Sequence, residues 1–217
     1  WGIPHNCPTA DGKEIQNSSY RALKNGIKLK DIFKMVKNYK KDKNSKPLIL
    51  MGYYQMIFNF GEKKFIKKCK ESGVDGLIVV DLSWPDNKNF AKLCKKNSIC
   101  FVQLIAPTTS IERMMKIVKN SHEMIYMISM ISTTGSTLKI TTKKIMKNYD
   151  IIKKINPLKN VVIGFGITKK TISKLKPADG LVVGSAICKE ISRSLNIRQN
   201  PVTNVTNMVV KLKKEIS

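Results

Sequence analysis

Six short apolar runs punctuate the chain: residues 47–53 (PLILMGY), 76–81 (GLIVVD), 100–106 (CFVQLIA), 124–130 (MIYMISM), 160–166 (NVVIGFG) and 180–185 (GLVVGS). Most show no polar alternation. Each is too short for a buried helix and rich in Val and Ile, the pattern of strands covered on both faces. Between them, apolar residues recur at helical spacing. Leu29, Ile32, Phe33, Val36 and Tyr39 share a face, as do Phe65, Ile66 and Cys69, and then Phe90, Leu93 and Cys94. Met114, Ile117 and Val118 follow, then Ile172 and Leu175, and last Val205, Met208, Val209 and Leu212. Such stripes are core seams. Ser110 and Thr168 stand at N-cap positions.

Strand and helix alternate about every 25–30 residues, which predicts βα units and a parallel sheet. Two α/β architectures compete, an open doubly wound sheet and a closed (β/α)₈ TIM barrel. A barrel needs eight strands and six runs are visible, so that reading places two strands before Trp1. No Pro/Gly/Ser linker divides the chain, and residues 1–217 are expected to be a single domain. The Lys-rich residues 37–46 read as a helix end and loop.

A length of 217 residues suits one domain, and 42% apolar with 25% charged residues excludes pervasive disorder. No apolar run approaches the roughly 18 residues of a membrane-spanning helix. There is no signal-peptide pattern and no initiator Met, so the chain reads as a fragment. The net charge of +25 raises nucleic acid as a partner. However, 36 of the 40 basic residues are Lys, spread over nearly every helical stripe, and only Arg21, Arg113, Arg193 and Arg198 are Arg. Base and phosphate recognition favours clustered Arg. The abundance of Lys, Asn and Ile reads instead as compositional bias, with nonspecific polyanion affinity as its consequence. Cys7, Cys69, Cys94, Cys100 and Cys188 form no CxxC pair, and His5 and His122 are the only histidines, so no zinc set is expected. Cys69 and Cys94 fall on helix faces as small buried thiols. An odd, unpatterned cysteine count suits a reducing cytoplasm.

In parallel α/β folds the chemistry sits at the carboxyl ends of the strands. Asp81 ends one run, and Pro107, Thr108 and Thr109 end the next. Ser129 leads into an expected loop at residues 132–137 (STTGST). Gly164-Phe165-Gly166 and Gly184-Ser185 end the last two runs. Small residues there let a phosphate approach backbone N–H groups and a helix N-terminus, although tight turns alone would also explain the glycines. There is no GxGxxG fingerprint and no GxxxxGK[ST] loop. Residues 2–16 (GIPHNCPTADGKEIQ) read as a loop entering a helix from about residue 15 to 24. Asp11, before Gly12, holds a turn position that carries either chemistry or nothing more than a turn.

Together these residues resemble the tryptophan synthase alpha chain family. The family's loop after its second strand reads roughly E-[LI]-G-[IV]-P-F-S-D-P-x-A-D-G-P-x-I-Q, and residues 1–16 here read WGIPHNCPTADGKEIQ. The likeness continues through Arg21-Ala22-Leu23 with Gly26, Leu50-Met51-Gly52-Tyr53-Tyr54, residues 73–82 (GVDGLIVVDL) and Ala106-Pro107-Thr108-Thr109. Gly164-Phe165-Gly166-Ile167 and residues 178–187 (ADGLVVGSAI) complete it, in order along nearly the whole chain.

The resemblance implies a (β/α)₈ barrel whose first two strands and first helix lie upstream. It implies retro-aldol cleavage of indole-3-glycerol phosphate to indole and glyceraldehyde 3-phosphate. Asp11 is similar to the aspartate that binds the indole N–H, while the glutamate acid–base would stand just before Trp1, leaving this fragment nearly inactive. Gly135, Gly166, Gly184 and Ser185 correspond to the phosphate site. Phe165, Tyr126, Met51 and Ile105 correspond to the indole pocket, with plain core packing an equal rival. Thr134 matches the threonine that positions the aspartate. The family chain carries no metal or organic cofactor, since pyridoxal phosphate belongs to a beta chain with which it forms an αββα complex in the cytoplasm. Three departures stand out: F-S-D-P is His5-Asn6-Cys7-Pro8, S-[RM]-x-G-[IV]-T-G is residues 129–135 (SMISTTG), and the proline of D-[LV]-P is Ser83. They leave open a noncatalytic alpha chain that only activates its beta chain. A sugar-phosphate isomerase barrel would explain GFG and GSA but not residues 8–16.

Overall fold

A computed structural model describes residues 1–129, 131–133, 136–138, 141–164 and 169–216. In chain order the elements are α1 (Lys13–Lys24), α2 (Leu29–Tyr39), β1 (Ile49–Gly52), α3 (Tyr54–Phe60), α4 (Glu62–Ser72), β2 (Gly76–Val79), α5 (Lys88–Lys96) and β3 (Cys100–Phe101). β4 (Gln103–Ile105), α6 (Ile111–Asn120), β5 (Met124–Ile128), β6 (Ile131–Thr133), β7 (Ser136–Leu138) and α7 (Thr142–Ile155) follow. β8 (Asn160–Gly164), α8 (Lys169–Leu175), β9 (Gly180–Val182), α9 (Ser185–Asn196) and α10 (Pro201–Ile216) complete the chain. Two compact units emerge, one drawn from residues 1–11, 19–104 and 121–124, the other from 12–18, 105–120 and 125–217. No described helix is long and apolar enough to cross a membrane.

In the first unit β1, β2 and β3 lie side by side and parallel, with Leu50 opposite Leu77 and Leu77 opposite Phe101. All four residues of β2 are buried, as a run without polar alternation predicts. The helical stripes close over this sheet: Ile32, Phe33 and Val36 from α2, Phe65, Ile66 and Cys69 from α4, and Phe90 and Cys94 from α5. Ring pairs fix their register, Phe33 against Phe65 at 5.7 Å and Phe90 edge-on to Phe101 at 5.8 Å. Gly73 ends α4 at φ 89°, where its N–H reaches back to the Cys69 and Lys70 carbonyls. Residues 3–12 are loop as predicted and lead into α1, but Gly2 forms an isolated parallel bridge to Met51. Met51 N–H donates to the Trp1 carbonyl and Ile3 N–H to the Met51 carbonyl, both at 2.8 Å, so residues 1–3 run parallel beside β1. A pairing so distant in sequence leaves no mark on local composition.

In the second unit β5, β8 and β9 are neighbours in that order, with β8 and β9 parallel. Met114, Ile117 and Val118 of α6, Ile145, Tyr149 and Ile152 of α7, and Ile172 and Leu175 of α8 are buried. The α10 stripe is only half-buried. Ser110 Oγ caps α6 by accepting Arg113 N–H at 3.3 Å, while Thr168 lies outside the described residues. The expected loop at 132–137 is corrected: β6 and β7 pair antiparallel, Ile131 opposite Leu138. Thr-rich arms that short carry little hydrophobic signal, and their pairing with each other supplies the order. The run at 100–106 divides into β3 and β4 at Val102.

Each unit contains the same clasp. In the first, Lys40 Nζ donates to Asp75 Oδ2 (2.6 Å) and to the Lys46 carbonyl (3.3 Å), while Leu48 N–H donates to the same Asp75 oxygen (2.5 Å). In the second, Lys153 Nζ donates to Asp179 Oδ2 (3.0 Å) and to the Lys159 carbonyl (2.9 Å), while Val161 N–H donates to Asp179 Oδ2 (2.8 Å). A lysine late in a helix or just past it thus ties the loop six residues on to the carboxylate before a neighbouring strand. Tyr149 Oη adds a bond to Asp179 at 3.2 Å. Burial alone would push the Asp179 carboxyl up. The Val161 N–H, Lys153 and Tyr149 outweigh it and hold the group below the usual carboxylate range.

Candidate active site

Asp11 stands in the loop between residue 3 and α1, its N–H turned back to the Pro8 carbonyl at 3.0 Å. Tyr53, the first residue past β1, donates its hydroxyl proton to Asp11 Oδ2 at 2.9 Å and accepts Ala10 N–H at 3.0 Å. One hydroxyl therefore fixes both the carboxylate and the backbone before it. Burial pushes the Asp11 carboxyl up, while the Tyr53 hydrogen bond pulls it down. Burial also raises the Tyr53 hydroxyl, so it remains a proton donor throughout the physiological range. The His5 ring stacks on Tyr53, centroids 4.7 Å apart and planes at 26°. Sequence reasoning gave Tyr53 no role; its only signal was its place in the family-like run Leu50–Tyr54, directly after a strand. Asp81, at the end of the β2 run, accepts Tyr54 N–H at 2.7 Å and so caps α3. Met51 is half-buried on β1, on the opposite face from the fully buried Leu50.

The second unit holds Gly184, Ser185, Tyr126 and Ile105. Gly184 is the N-cap of α9 and Ser185 its first residue, and both are exposed, so the first N–H groups of that helix face a natural anion position. Gly184 has φ −113°, and a Cβ there would meet only Ile15 Cδ1, at an ordinary 3.8 Å. Neither backbone nor packing requires glycine at this position. A tight turn therefore does not explain it.

Gly164 is the opposite case. A Cβ there would lie 1.8 Å from Tyr126 Oη and 2.3 Å from Cζ. The Gly164 carbonyl accepts both Ser129 Oγ (2.7 Å) and Ser129 N–H (2.9 Å). Tyr126 and Ile105 are fully buried, and Tyr126 packs against Gly164 on β8. Thr134, Gly135, Phe165 and Gly166 lie outside the described residues.

One group among the described residues brings three possible metal donors together: Cys100, His122 and Glu123, with ligand atoms within 4.8 Å of one another. His122 Nδ1 accepts Phe101 N–H at 2.8 Å, so the neutral ring carries its proton on Nε2. Burial pushes the Cys100 thiol up to about 11, keeping it protonated. The ring serves as a backbone anchor for β3. Cys69 and Cys94 are buried as expected, and burial raises Cys94 to about 12, leaving it unreactive.

The family model of the tryptophan synthase alpha chain matches residues 1–217. A tryptophan synthase alpha chain of Pelagibacter ubique (strain HTCC1062) is 65% identical over 216 residues, which is 100% of this chain and 82% of that relative. The solved tryptophan synthase subunit alpha of Legionella pneumophila str. Paris aligns with a TM-score of 0.87 at 29% identity, covering 99% of this chain and 79% of that one. A solved tryptophan synthase complex of Pyrococcus furiosus aligns with a TM-score of 0.77 at 37% identity, covering 99% and 82%. The parallel α/β fold, a (β/α)₈ barrel in these neighbours, thus extends along almost the entire chain.

Proposed function

We propose, from the premise that this chain belongs to the tryptophan synthase alpha chain family, that it cleaves indole-3-glycerol phosphate to indole and glyceraldehyde 3-phosphate. The observation that carries the reading is the Asp11 carboxylate, half-buried and fixed by Tyr53 at 2.9 Å. When indole C3 takes a proton, positive charge grows on the ring nitrogen, and a fixed carboxylate accepting the N–H stabilises it. The bond from C3 to the side chain then breaks as the adjacent hydroxyl loses its proton. Its electrons return to the ring, and the hydroxyl carbon becomes the aldehyde. That proton traffic needs a second group, for which the family pattern supplies a glutamate just before the residue matching Trp1. Such a group contributes about 10²–10⁴-fold.

Gly184 and Ser185 at the start of α9 would bind the substrate phosphate, together with Gly135 and Gly166. Met51, Ile105, Tyr126 and Phe165 would wall the indole pocket, and Thr134 would help to orient Asp11. The reaction moves protons and no net electrons, so it asks for no redox cofactor, and this reading places no metal or organic cofactor on this chain. The partner is a beta chain carrying pyridoxal phosphate, in an αββα assembly in the cytoplasm, with residues 1–217 forming a single barrel domain. The 65% identity to a named alpha chain and the intact Asp11–Tyr53 pair support catalysis over a purely activating role.

The test is indole release by the full gene product, with and without a beta chain, alongside Asp11→Asn. Release is expected to fall about 10²–10³-fold in the variant. The fold raises the Asp11 carboxyl above its unfolded value, so its contribution to stability is present at low pH and lost as pH rises through the folded value. Asp11→Asn is therefore expected to leave the neutral-pH unfolding midpoint unchanged or higher. Unaltered release in the variant, or no release but a faster beta reaction on adding the chain, would overturn the reading.

A further inference from the structure

We propose that Tyr53 and His5 are positioning residues for Asp11, with His5 coupling the Asp11 loop to α3. The inference rests on the reading of Asp11 given above and deepens it. The family pattern has phenylalanine where this chain has His5, and the histidine makes bonds that a phenylalanine has no atoms for. His5 Nδ1 accepts Cys7 N–H at 3.0 Å. The neutral ring must then carry its proton on Nε2, and that N–H donates to Gln55 Oε1 at 3.2 Å. Gln55 is in the first turn of α3, the helix capped by Asp81 through Tyr54 N–H.

His5 is only 8% exposed and Tyr53 only 6%. The His5 ring stacks against the tyrosine ring, whose hydroxyl lies between Ala10 N–H and Asp11 Oδ2. Asn6, Cys7, Thr9 and Ala10 are themselves exposed. The loop thus takes its register from buried rings rather than from its own packing. Tyr53 also donates a hydrogen bond to the ionised form of a carboxyl that burial drives toward neutrality. Position and charge of Asp11 therefore depend on the same hydroxyl. Among the described residues, the charged and titratable groups around it include Asp11 and His5 on the loop and Asp81 past β2.

The experiment is a carbon-13 NMR titration of the Asp11 carboxyl in the substrate-free gene product, paired with pH profiles of kcat and KM for indole release. The variants are Tyr53→Phe, His5→Ala and His5→Phe. Tyr53→Phe keeps the ring and its stack, so it tests the hydroxyl with the least risk to folding. It is expected to raise the Asp11 titration, to move the acid limb of kcat/KM to higher pH, and to lower kcat by up to about 100-fold with KM nearly constant. His5→Ala is expected to reproduce much of this, and His5→Phe to recover it in part by restoring the stack. An Asp11 titration unmoved by Tyr53→Phe would overturn the proposal. A His5→Ala variant indistinguishable from the parent in both readouts would overturn the role of His5. A shifted titration in a protein that releases no indole would support the positioning and refute the lyase reading instead.

Discussion

Replacing Gly164 with alanine puts a methyl group where the Tyr126 ring already lies. The new Cβ would be 1.8 Å from Oη, 2.3 Å from Cζ and 2.9 Å from Cε1. Carbon atoms in contact settle at about 3.5–4.0 Å, so the ring must retreat by more than about 1 Å. Tyr126 is 3% exposed at the centre of β5, and the Gly164 carbonyl is tied to Ser129 by two bonds, so neither strand yields cheaply. Overpacking of this kind costs about 1–3 kcal/mol, and the size of the clash puts Gly164→Ala at the upper end. The assay is a double-mutant cycle from urea unfolding midpoints. Tyr126→Ala alone should cost about 3–5 kcal/mol as a buried ring is lost. In that background Gly164→Ala should cost almost nothing, giving a coupling of about 3 kcal/mol in favour of the pair. Tyr126→Phe should not rescue, because Cζ remains 2.3 Å away. Additivity of the two alanine substitutions within about 0.5 kcal/mol, or rescue by Tyr126→Phe, would refute the reasoning.

The clasps and the α9 terminus give two more expectations. The fold depresses the Asp179 carboxyl, so its stabilisation is present above the unfolded carboxylate value and lost as pH falls through the folded one. Asp179→Asn should cost about 1–2 kcal/mol at neutral pH and flatten the acid limb of the stability curve, measured by urea unfolding from pH 7 down to about 3. Asp75→Asn should cost less, its carboxylate being 44% exposed against 27% for Asp179. Gly184→Asp should weaken phosphate binding at least about tenfold through like-charge repulsion at a helix N-terminus. Its unfolding midpoint should hold, since a Cβ fits there; calorimetry with inorganic phosphate and a thermal melt check the two halves separately.

The candidate site was legible in parts, for identifiable reasons. Asp11 could be named because its neighbours Ala10, Gly12, Ile15 and Gln16 match a family pattern, not because an Asp-Gly turn signals chemistry. The glycines at 164 and 184 looked alike as sequence. Only their surroundings separate them, one required by a tyrosine ring and the other sterically free. Tyr126 and Ile105 are buried as core residues would be, so burial by itself does not distinguish pocket wall from core. The hydroxyl that holds Asp11 and the histidine behind it were invisible, because Tyr53 lies 42 positions from its acceptor.

The hydrophobic pattern by itself determined the βα alternation, the strands buried on both faces and the seams of α2, α4, α5, α6 and α8. Burying apolar area is roughly proportional to the area itself and indifferent to the partner, so periodicity alone reports it. Tertiary structure decided what depends on direction and on distant partners. Residues 1–3 pair beside β1 only because that strand offered backbone groups to bond with. Lysines that read as one undifferentiated charge divided into solvated surface and two clasps. Asp75 and Asp179 lock strands only because a lysine and a backbone N–H arrive at them from elsewhere in the chain. Hydrogen bonds act over about 3 Å and along fixed directions, and no local run of residues specifies which groups the fold will bring that close.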